Sequence, residues 1–335
     1  MSTRRVVHLV RSDRFAGVER YIADTSTELA HRGWTVTVLG GDPRRMRAQL
    51  PASVDHHPAA TIVNVARALR TLPRQDIVHA HMTAAELPAA LLKHRLGGRL
   101  VVTRHFPAPR GSTLPGRLAR PLIARQVDVQ IAVSHFVAAH VEGGSEVIHS
   151  GVAPSTRGPV TRENTVLVLQ RLTPEKDTAT ALRAWARTGL ADCGWRLVIH
   201  GQGRDEAMLR SLATGLGIDA SVDFAGFTDE PRAALARCGL LLATTPREAF
   251  GLAVAEAMAE ATPVVAAASG AYLETLGESG VYFGPGDADA CAERLAYLAG
   301  AALERRAIGT ALRDRQRARF TITGHADLLE AVYAG

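Results

Sequence analysis

Two carboxylates and two cations stand at spacings that could handle an activated phosphate ester. In PREAFGLAVAEAMAEATPVVA (residues 246–266), Glu248 and Glu256 lie eight positions apart, on either side of Phe250-Gly251-Leu252. In QRLTPEKD (170–177), Arg171 and Lys176 lie five apart around Pro174. A guanidinium grips phosphate oxygens bidentately and an ammonium adds compact charge, so this pair suits a diphosphate. Only two of the 39 basic residues are lysines, Lys93 and Lys176, which sets position 176 apart from the arginine-rich surface. A helix starting near Gly251 or Leu252 would point the amides of Phe250, Gly251 and Leu252 forward, unpaired and at the positive end of the dipole. Glu256, a turn further in, could then accept both vicinal hydroxyls of a ribose, and Glu248 could face a reacting sugar. Acidic decoration of a helix explains either glutamate alone. It does not explain their company with the basic loop.

Weaker signals surround this set. Gly201 and Gly203 in HGQGR (200–204) would let backbone approach a ligand closely, although glycine turns after strands are common. In FAGFTDE (224–230) a flat base could rest near Phe227 and Thr228, while core packing accounts for Phe224. Gly17 precedes a helix, where it either makes a loop turn or leaves room for phosphate. His105 ends the run RLVVTRH and could hydrogen-bond a sugar hydroxyl or an acceptor. His79 and His81 alternate along DIVHAH and read as structural histidines. No acidic partner stands at metal-ligand spacing, so no metal is expected.

These residues need a scaffold that turns loops toward one edge. RVVHLV (5–10), TVTVLG (35–40), DIVHAH (76–81), RLVVTR (99–104) and VDVQIAV (127–133) read as buried strands with helices between them. The stretch 150–165 is rich in Gly, Pro, Ser and Thr and reads as a linker. The alternation then restarts with TVLVLQ (165–170), WRLVIHG (195–201), SVDFAG (221–226), GLLLATT (239–245) and TPVVAAA (262–268). The expected fold is α/β, with two doubly wound Rossmann-like domains facing a cleft. Neither ladder has a GxGxxG after its first strand, so a dinucleotide fingerprint is missing. In such sheets ligands bind beyond the carboxyl ends of the strands, so the loops after strands are where chemistry is expected.

The 335 residues are 47 % apolar and 21 % charged, enough for two ordinary domains and without a disordered bias. Nothing resembling a signal peptide follows MSTRRVVHLV, and no run is apolar enough to span a bilayer. Cys193, Cys238 and Cys291 are few and scattered, which suits a reducing compartment. The net charge of +6 is uneven: residues 1–155 hold 20 Lys/Arg against 11 Asp/Glu, and residues 156–335 hold 19 against 22. The first half is thus expected to meet something anionic. Nucleic acid is disfavoured, because aromatics are 5 % and no stacking platform accompanies the cations.

Taken together, R-L-x-P-E-K at 171–176, G-x-G at 201–203 and E-A-F-G-L-x-x-x-E-A-M-A at 248–259 followed by T-P-V-V-A resemble the retaining GT-B glycosyltransferases of family 4. Gly17-Val18-Glu19, D-I-V-H-A-H, V-T-R-H, V-S at 133–134 and G-V at 151–152 agree, so the likeness covers nearly the whole chain. It implies an acceptor-side domain over 1–155, joined by a C-terminal helix over about 320–335 that crosses back to it, and a donor-binding domain over 156–319. Arg171 and Lys176 would hold the donor diphosphate, Glu248 would sit against the donor sugar, and Glu256 would bind the ribose. His105 would lie near sugar and acceptor, and Gly17 would let the first domain close on the phosphates. Departures from the family pattern are Ala16 where a glycine is frequent, Thr244-Thr245 in place of Pro-Ser, and Ala261 in place of Gly. None removes a charged group.

The expected reaction moves a sugar, a hexose by the resemblance, from a nucleotide-diphosphate sugar to an acceptor hydroxyl. The side-chain cations replace a divalent ion, so no metal or other cofactor is expected. The family suggests front-face attack, with the departing phosphate taking the acceptor proton. Alternatives are a nucleotide-sugar epimerase of the same architecture and a catalytically silent nucleotide-sugar-binding subunit. The acceptor is expected to be a sugar, a lipid-linked species or a small molecule. Residues 104–125 combine Arg110, Arg117, Arg120 and Arg125 with Leu114, Leu118, Leu122 and Ile123, a basic amphipathic pattern that could rest on an anionic membrane. The expected setting is cytoplasmic, with peripheral contact at the inner face of the membrane.

Overall fold

The computed structural model describes residues 4–111, 114–158 and 160–335, and the side chains of 114–117 also lie outside that description. The chain divides into two compact units, Met1–Gly151 with Ile322–Gly335, and Val152–Thr321.

The first unit runs β1 (Arg5–Val10), α1 (Gly17–His31), β2 (Thr35–Leu39), α2 (Pro43–Gln49), β3 (Asp55–His57), α3 (Ile62–Thr71), β4 (Ile77–His81), α4 (Thr83–Leu96), β5 (Arg99–Arg104), α5 (Leu114–Gln126), β6 (Val129–Ala132), α6 (His135–Ala138) and β7 (Glu146–Val147). Its strands form one parallel sheet in the order β3-β2-β1-β4-β5-β6-β7. Alternation along β1 explains the double winding. Val6 and Val10 join a core with Tyr21, Ile22, Leu29 and Met46, while Val7 and Leu9 join another with Val65, Leu69, Ala85 and Leu96. Helices therefore cover both faces.

The second unit runs β8 (Thr165–Leu169), α7 (Thr178–Trp185), β9 (Arg196–His200), α8 (Glu206–Gly215), β10 (Val222–Gly226), α9 (Pro231–Arg237), β11 (Leu240–Ala243), α10 (Leu252–Ala259), β12 (Val264–Ala267), α11 (Tyr272–Leu276), β13 (Val281–Phe283), α12 (Ala288–Gly300) and α13 (Ala302–Arg319). Its parallel sheet is ordered β10-β9-β8-β11-β12-β13. Val166 and Val168 pack with Leu182, Trp185, Leu197 and Leu295 on one face, and Leu167 and Leu241 are buried by alternation on the other.

The last helix, α14 (Ile322–Ala334), returns to the first unit, where Leu329, Val332 and Tyr333 join the core of β1 and α1. Arg32 grips Asp327 at 2.6 Å and Glu330 at 2.9 Å, and the Trp34 indole donates to Glu330 at 2.7 Å. Strands β3, β7 and β13 were not expected from sequence. Each has at most three residues and lies at a sheet edge, too brief to leave an alternating pattern. Among the described residues no helix is long and apolar enough to cross a membrane.

The basic segment 104–125 needs one correction. Arg110 is buried, not presented outward: its guanidinium pairs with Glu86 and with Glu142 and donates to the Gln130 side chain at 2.6 Å. A guanidinium in a low-dielectric interior persists only with such partners. Farther on, α5 exposes Leu118 and Leu122 and turns Ile123 inward. The side chains of Leu114 and Arg117 lie outside the described residues.

Candidate functional site

In the second sheet the order reverses between β8 and β11, which are neighbours although three strands apart in sequence order. Loops leaving the carboxyl ends of such a pair diverge and open a crevice. The loop after β8 contains Arg171 and Lys176, and the loop after β11 contains Glu248. Lys176 stands at the end of a single 3-10 turn, Pro174–Lys176. Asp177 then adopts φ +49°, a left-handed conformation that Asp tolerates, and caps α7 through its carboxylate and the Thr180 hydroxyl at 2.7 Å.

This arrangement delivers the ammonium of Lys176 to the carboxylate of Glu248 at 2.7 Å, with the two side chains 17 % and 15 % exposed. Glu248 also accepts from the Ala249 amide at 3.1 Å and the Tyr272 hydroxyl at 3.4 Å. Burial works to raise its carboxyl, but the charge and hydrogen bond of Lys176, with those two donors, outweigh it and leave Glu248 below the usual carboxylate range. Burial, and next the charge of Glu248, push the Tyr272 phenol well above its ordinary value. A largely buried, ionised carboxylate beside an ammonium can bind hydroxyls and a phosphate at one spot.

The other predicted residues take separate places. Arg171 is more exposed and pairs with Glu175 at 3.2 Å, not with Glu248. Gly251, at φ +85°, caps α10, and a Cβ there would meet the Tyr272 ring at 2.8 Å. The first bond of α10 runs from the Ala255 amide to the Gly251 carbonyl at 3.0 Å, so the amides of Gly251 and Leu252 precede the intrahelical ladder. Phe250 is buried against Phe320, and Glu256 is buried in α10. Gly201 and Gly203 have an internal reason to be glycine. A Cβ would stand 1.8 Å from the Gln170 carbonyl at the first and 2.0 Å from the Leu172 carbonyl at the second, where the loops after β8 and β9 lie against each other.

Sequence reasoning missed the residues that hold this loop set in place. The Gln170 amide bonds the Lys176 carbonyl, Thr178 and Thr244. Gly270, at φ +58°, packs so closely on the backbone of Glu248 that a Cβ would lie 2.6 Å from its carbonyl, and the Ala271 amide donates to that carbonyl at 3.0 Å. The signal for Gly270 was present as Ser-Gly after a strand. For Gln170 there was none, because its partners lie as far as 75 positions away.

In the first unit the reversal falls between β1 and β4. Gly17 begins α1, its φ lies outside the left-handed range, and a Cβ there would meet nothing within 4 Å. The fold itself therefore does not require glycine at 17. Glu19 fixes the approach to the helix by accepting the Ala16 amide at 2.9 Å. His105 is buried at the end of β5 and meets His81 at 3.1 Å, nitrogen to nitrogen, and His81 meets His8 at 3.0 Å. His79 is held by Tyr333 at 2.6 Å and Thr103 at 2.7 Å, and His325 by the His149 carbonyl at 2.8 Å and Tyr21 at 3.0 Å. Burial pushes His8 and His105 down to about 3 and His325 to about 4, and drives His79 and His81 well below their ordinary value.

Nitrogens of His8, His79 and His81 lie within 4.8 Å of one another, near enough to suggest a metal. The planes of His79 and His81 are 29° apart with centroids at 4.3 Å, those of His8 and His81 22° apart at 5.3 Å, and those of His8 and His79 37° apart at 5.0 Å.

Residues 155–315 match the model described as glycosyl transferases group 1, and residues 15–156 match glycosyltransferase family 4. The chain belongs to the family 4 glycosyltransferases. The chain is 28 % identical over 259 residues to an exopolysaccharide phosphotransferase of Streptomyces coelicolor, covering 72 % of its own length and 26 % of that protein. It is 30 % identical over 245 residues to a phosphatidyl-myo-inositol mannosyltransferase of Mycobacterium leprae, covering 67 % and 64 %. It therefore spans less than two thirds of either relative. Its fold is similar to that of Anabaena HepE solved with UDP and glucose, with a TM-score of 0.83, 19 % identity and 99 % of both chains covered. Sucrose-phosphate synthase of Thermosynechococcus elongatus gives 0.78 at 18 % identity, over 99 % of this chain and 98 % of that one. These likenesses establish the GT-B type of paired α/β domains.

Proposed function

We propose that this glycosyltransferase moves a hexose from a nucleotide-diphosphate sugar to an acceptor hydroxyl, with retention and without a metal. The observation that supports it best is the Lys176–Glu248 pair at 2.7 Å, largely buried at the carboxyl edge of the second sheet. Lys176 has three N–H donors, so it can keep the carboxylate while reaching a phosphate oxygen. Charge placed in advance on the leaving diphosphate is worth roughly 3 kcal/mol per good donor. Arg171 would exchange Glu175 for phosphate, Glu248 would orient the sugar, and Glu256 would bind the ribose. His105 would hydrogen-bond a hydroxyl, and Gly17 would leave room for a phosphate.

The relatives lend the substrate class its support. HepE was solved with UDP and with UDP-glucose, and the mycobacterial relative is named for mannosyl transfer to a phosphatidylinositol. A lipid-linked or sugar acceptor fits both, and the exposed Leu118 and Leu122 beside Arg125 make α5 the proposed contact with anionic lipid. Liposome co-sedimentation without dependence on anionic lipid would remove that part. For the donor, a thermal-shift screen of nucleotide sugars names base and sugar together, since a ligand bound to the folded state raises the melting temperature. Transfer by the hit to an added acceptor, with the product anomer read by NMR and EDTA present, tests reaction, retention and metal independence. Epimerised donor without acceptor would favour the epimerase reading, and tight binding without turnover the silent one.

A further inference from the structure

We propose that Gln170 is a positioning residue, which with Thr244 clamps the loop of Lys176 and so sets where its ammonium stands. The proposal rests on the donor-site reading above. Gln170 is the first residue after β8, and its amide nitrogen lies 2.9 Å from the Lys176 carbonyl, 3.0 Å from Thr178 Oγ1 and 3.1 Å from Thr244 Oγ1. The Thr244 hydroxyl donates to the same Lys176 carbonyl at 3.0 Å, and the Thr245 hydroxyl donates to Gln170 Oε1 at 3.3 Å.

The orientation of the amide follows from these partners. A backbone carbonyl only accepts, so the side of Gln170 facing Lys176 must be the nitrogen, and Oε1 is left for Thr245. Two donors from two different loops thus converge on the main chain of the lysine itself. A lysine side chain is long and loses much rotamer freedom when held in one geometry. Fixing its backbone limits that loss to the side-chain torsions and keeps the 2.7 Å contact to Glu248 within reach. Thr244 also begins the loop that leads to Glu248, so one side-chain amide ties the cationic and carboxylate loops together.

Having only two lysines gives this chain an unusually direct readout. Lysine labelled with 13C at Cε reports on Lys93, which pairs with Asp128 at 2.7 Å in the first unit, and on Lys176 in the second, without altering either ammonium. Gln170→Glu keeps the shape but sets an oxygen against the Lys176 carbonyl, and Thr244→Val removes the second donor, while Thr244→Ser retains it. We expect the Lys176 resonance to move toward that of a solvated lysine in Gln170→Glu and Thr244→Val, to stay in Thr244→Ser, and the Lys93 resonance to stay in all three. Nucleoside diphosphate, titrated as UDP and as GDP, should bind Gln170→Glu roughly tenfold more weakly, the scale of one lost hydrogen bond. A lower melting temperature with the Lys176 resonance unmoved in both Gln170→Glu and Thr244→Val would overturn the proposal, because a merely structural role predicts that. If neither nucleotide shifts the Lys176 resonance of the native protein, the donor-site reading fails instead, whatever the variants show.

Discussion

At the scale of single residues, the pairing of Lys176 with Glu248 decides most. Each side chain is about five-sixths buried, so removing one partner leaves a charge with little water to solvate it. Lys176→Met is expected to lower stability by about 2 kcal/mol, the range for a hydrogen bond to a charged group, and adding Glu248→Gln should restore part of it. A double-mutant cycle on denaturant midpoints measures the coupling; additive losses would show that the contact contributes nothing. Transfer should fall by about two to three orders of magnitude in Lys176→Met, as when one preorganised donor is lost. The charges of this pair were legible in the sequence because a rare lysine and a glutamate each followed a strand. Arg171 was legible as a cation but not as the partner of Glu175, a local choice between two nearby acids. Gln170 and Tyr272 were not legible, since neither type announces a role until the fold brings distant loops together.

At the scale of elements, the glycines separate into those the fold needs and one it does not. Gly203→Ala drives a methyl to 2.0 Å from a backbone carbonyl that has nowhere cheap to go, so we expect a loss of about 3 kcal/mol or more. Gly17→Ala meets open space at the first position of α1, and its stability should stay within about 0.5 kcal/mol of the native chain. Activity should nonetheless drop in Gly17→Ala, if phosphate approaches there; full activity at unchanged stability would leave Gly17 a plain helix start. The strand-helix alternation was readable from apolar runs and led to two doubly wound domains, but the order of the strands around each reversal was not readable, because strand order is a property of long-range pairing. The destination of α14 came from the family resemblance, and its physical basis appears only in the structure. Arg32 and Trp34 wait for Asp327 and Glu330, and His79 for Tyr333. Ending the chain at Thr321 would uncover all of them, and hydrogen exchange should show the whole first sheet losing protection while the second keeps it.

At the scale of the whole molecule, the histidines are unevenly shared. The second unit contains one, His200, whereas the first buries His8, His79, His81, His105 and His325 around the ends of β1, β4 and β5 and the face of α14. All five are held below the ordinary histidine value of 6.5, chiefly by burial, so the folded unit keeps them neutral while the unfolded chain takes up protons. Their contribution is intact above about pH 6.5 and is lost as pH falls toward the folded values, about 3 for His8 and His105 and about 4 for His325, at about 1.4 kcal/mol per group for each unit of pH. Glu248 and Glu175 act in the same sense in the second unit but in a lower window: held below the carboxylate value of 4.5, they lend stability that fades only as pH falls below it. Five groups together approach about 7 kcal/mol at pH 5.5, comparable to the whole stability of an ordinary domain. The first unit should therefore unfold between about pH 5 and 6 and the second only below about pH 4.5, giving two calorimetric transitions that merge as the pH is raised. Heating the protein at pH 5.5 from a state with both sheets intact and finding one transition in which they melt together would mean that the imidazole cluster takes up protons in place, through relaxation that the buried geometry does not show.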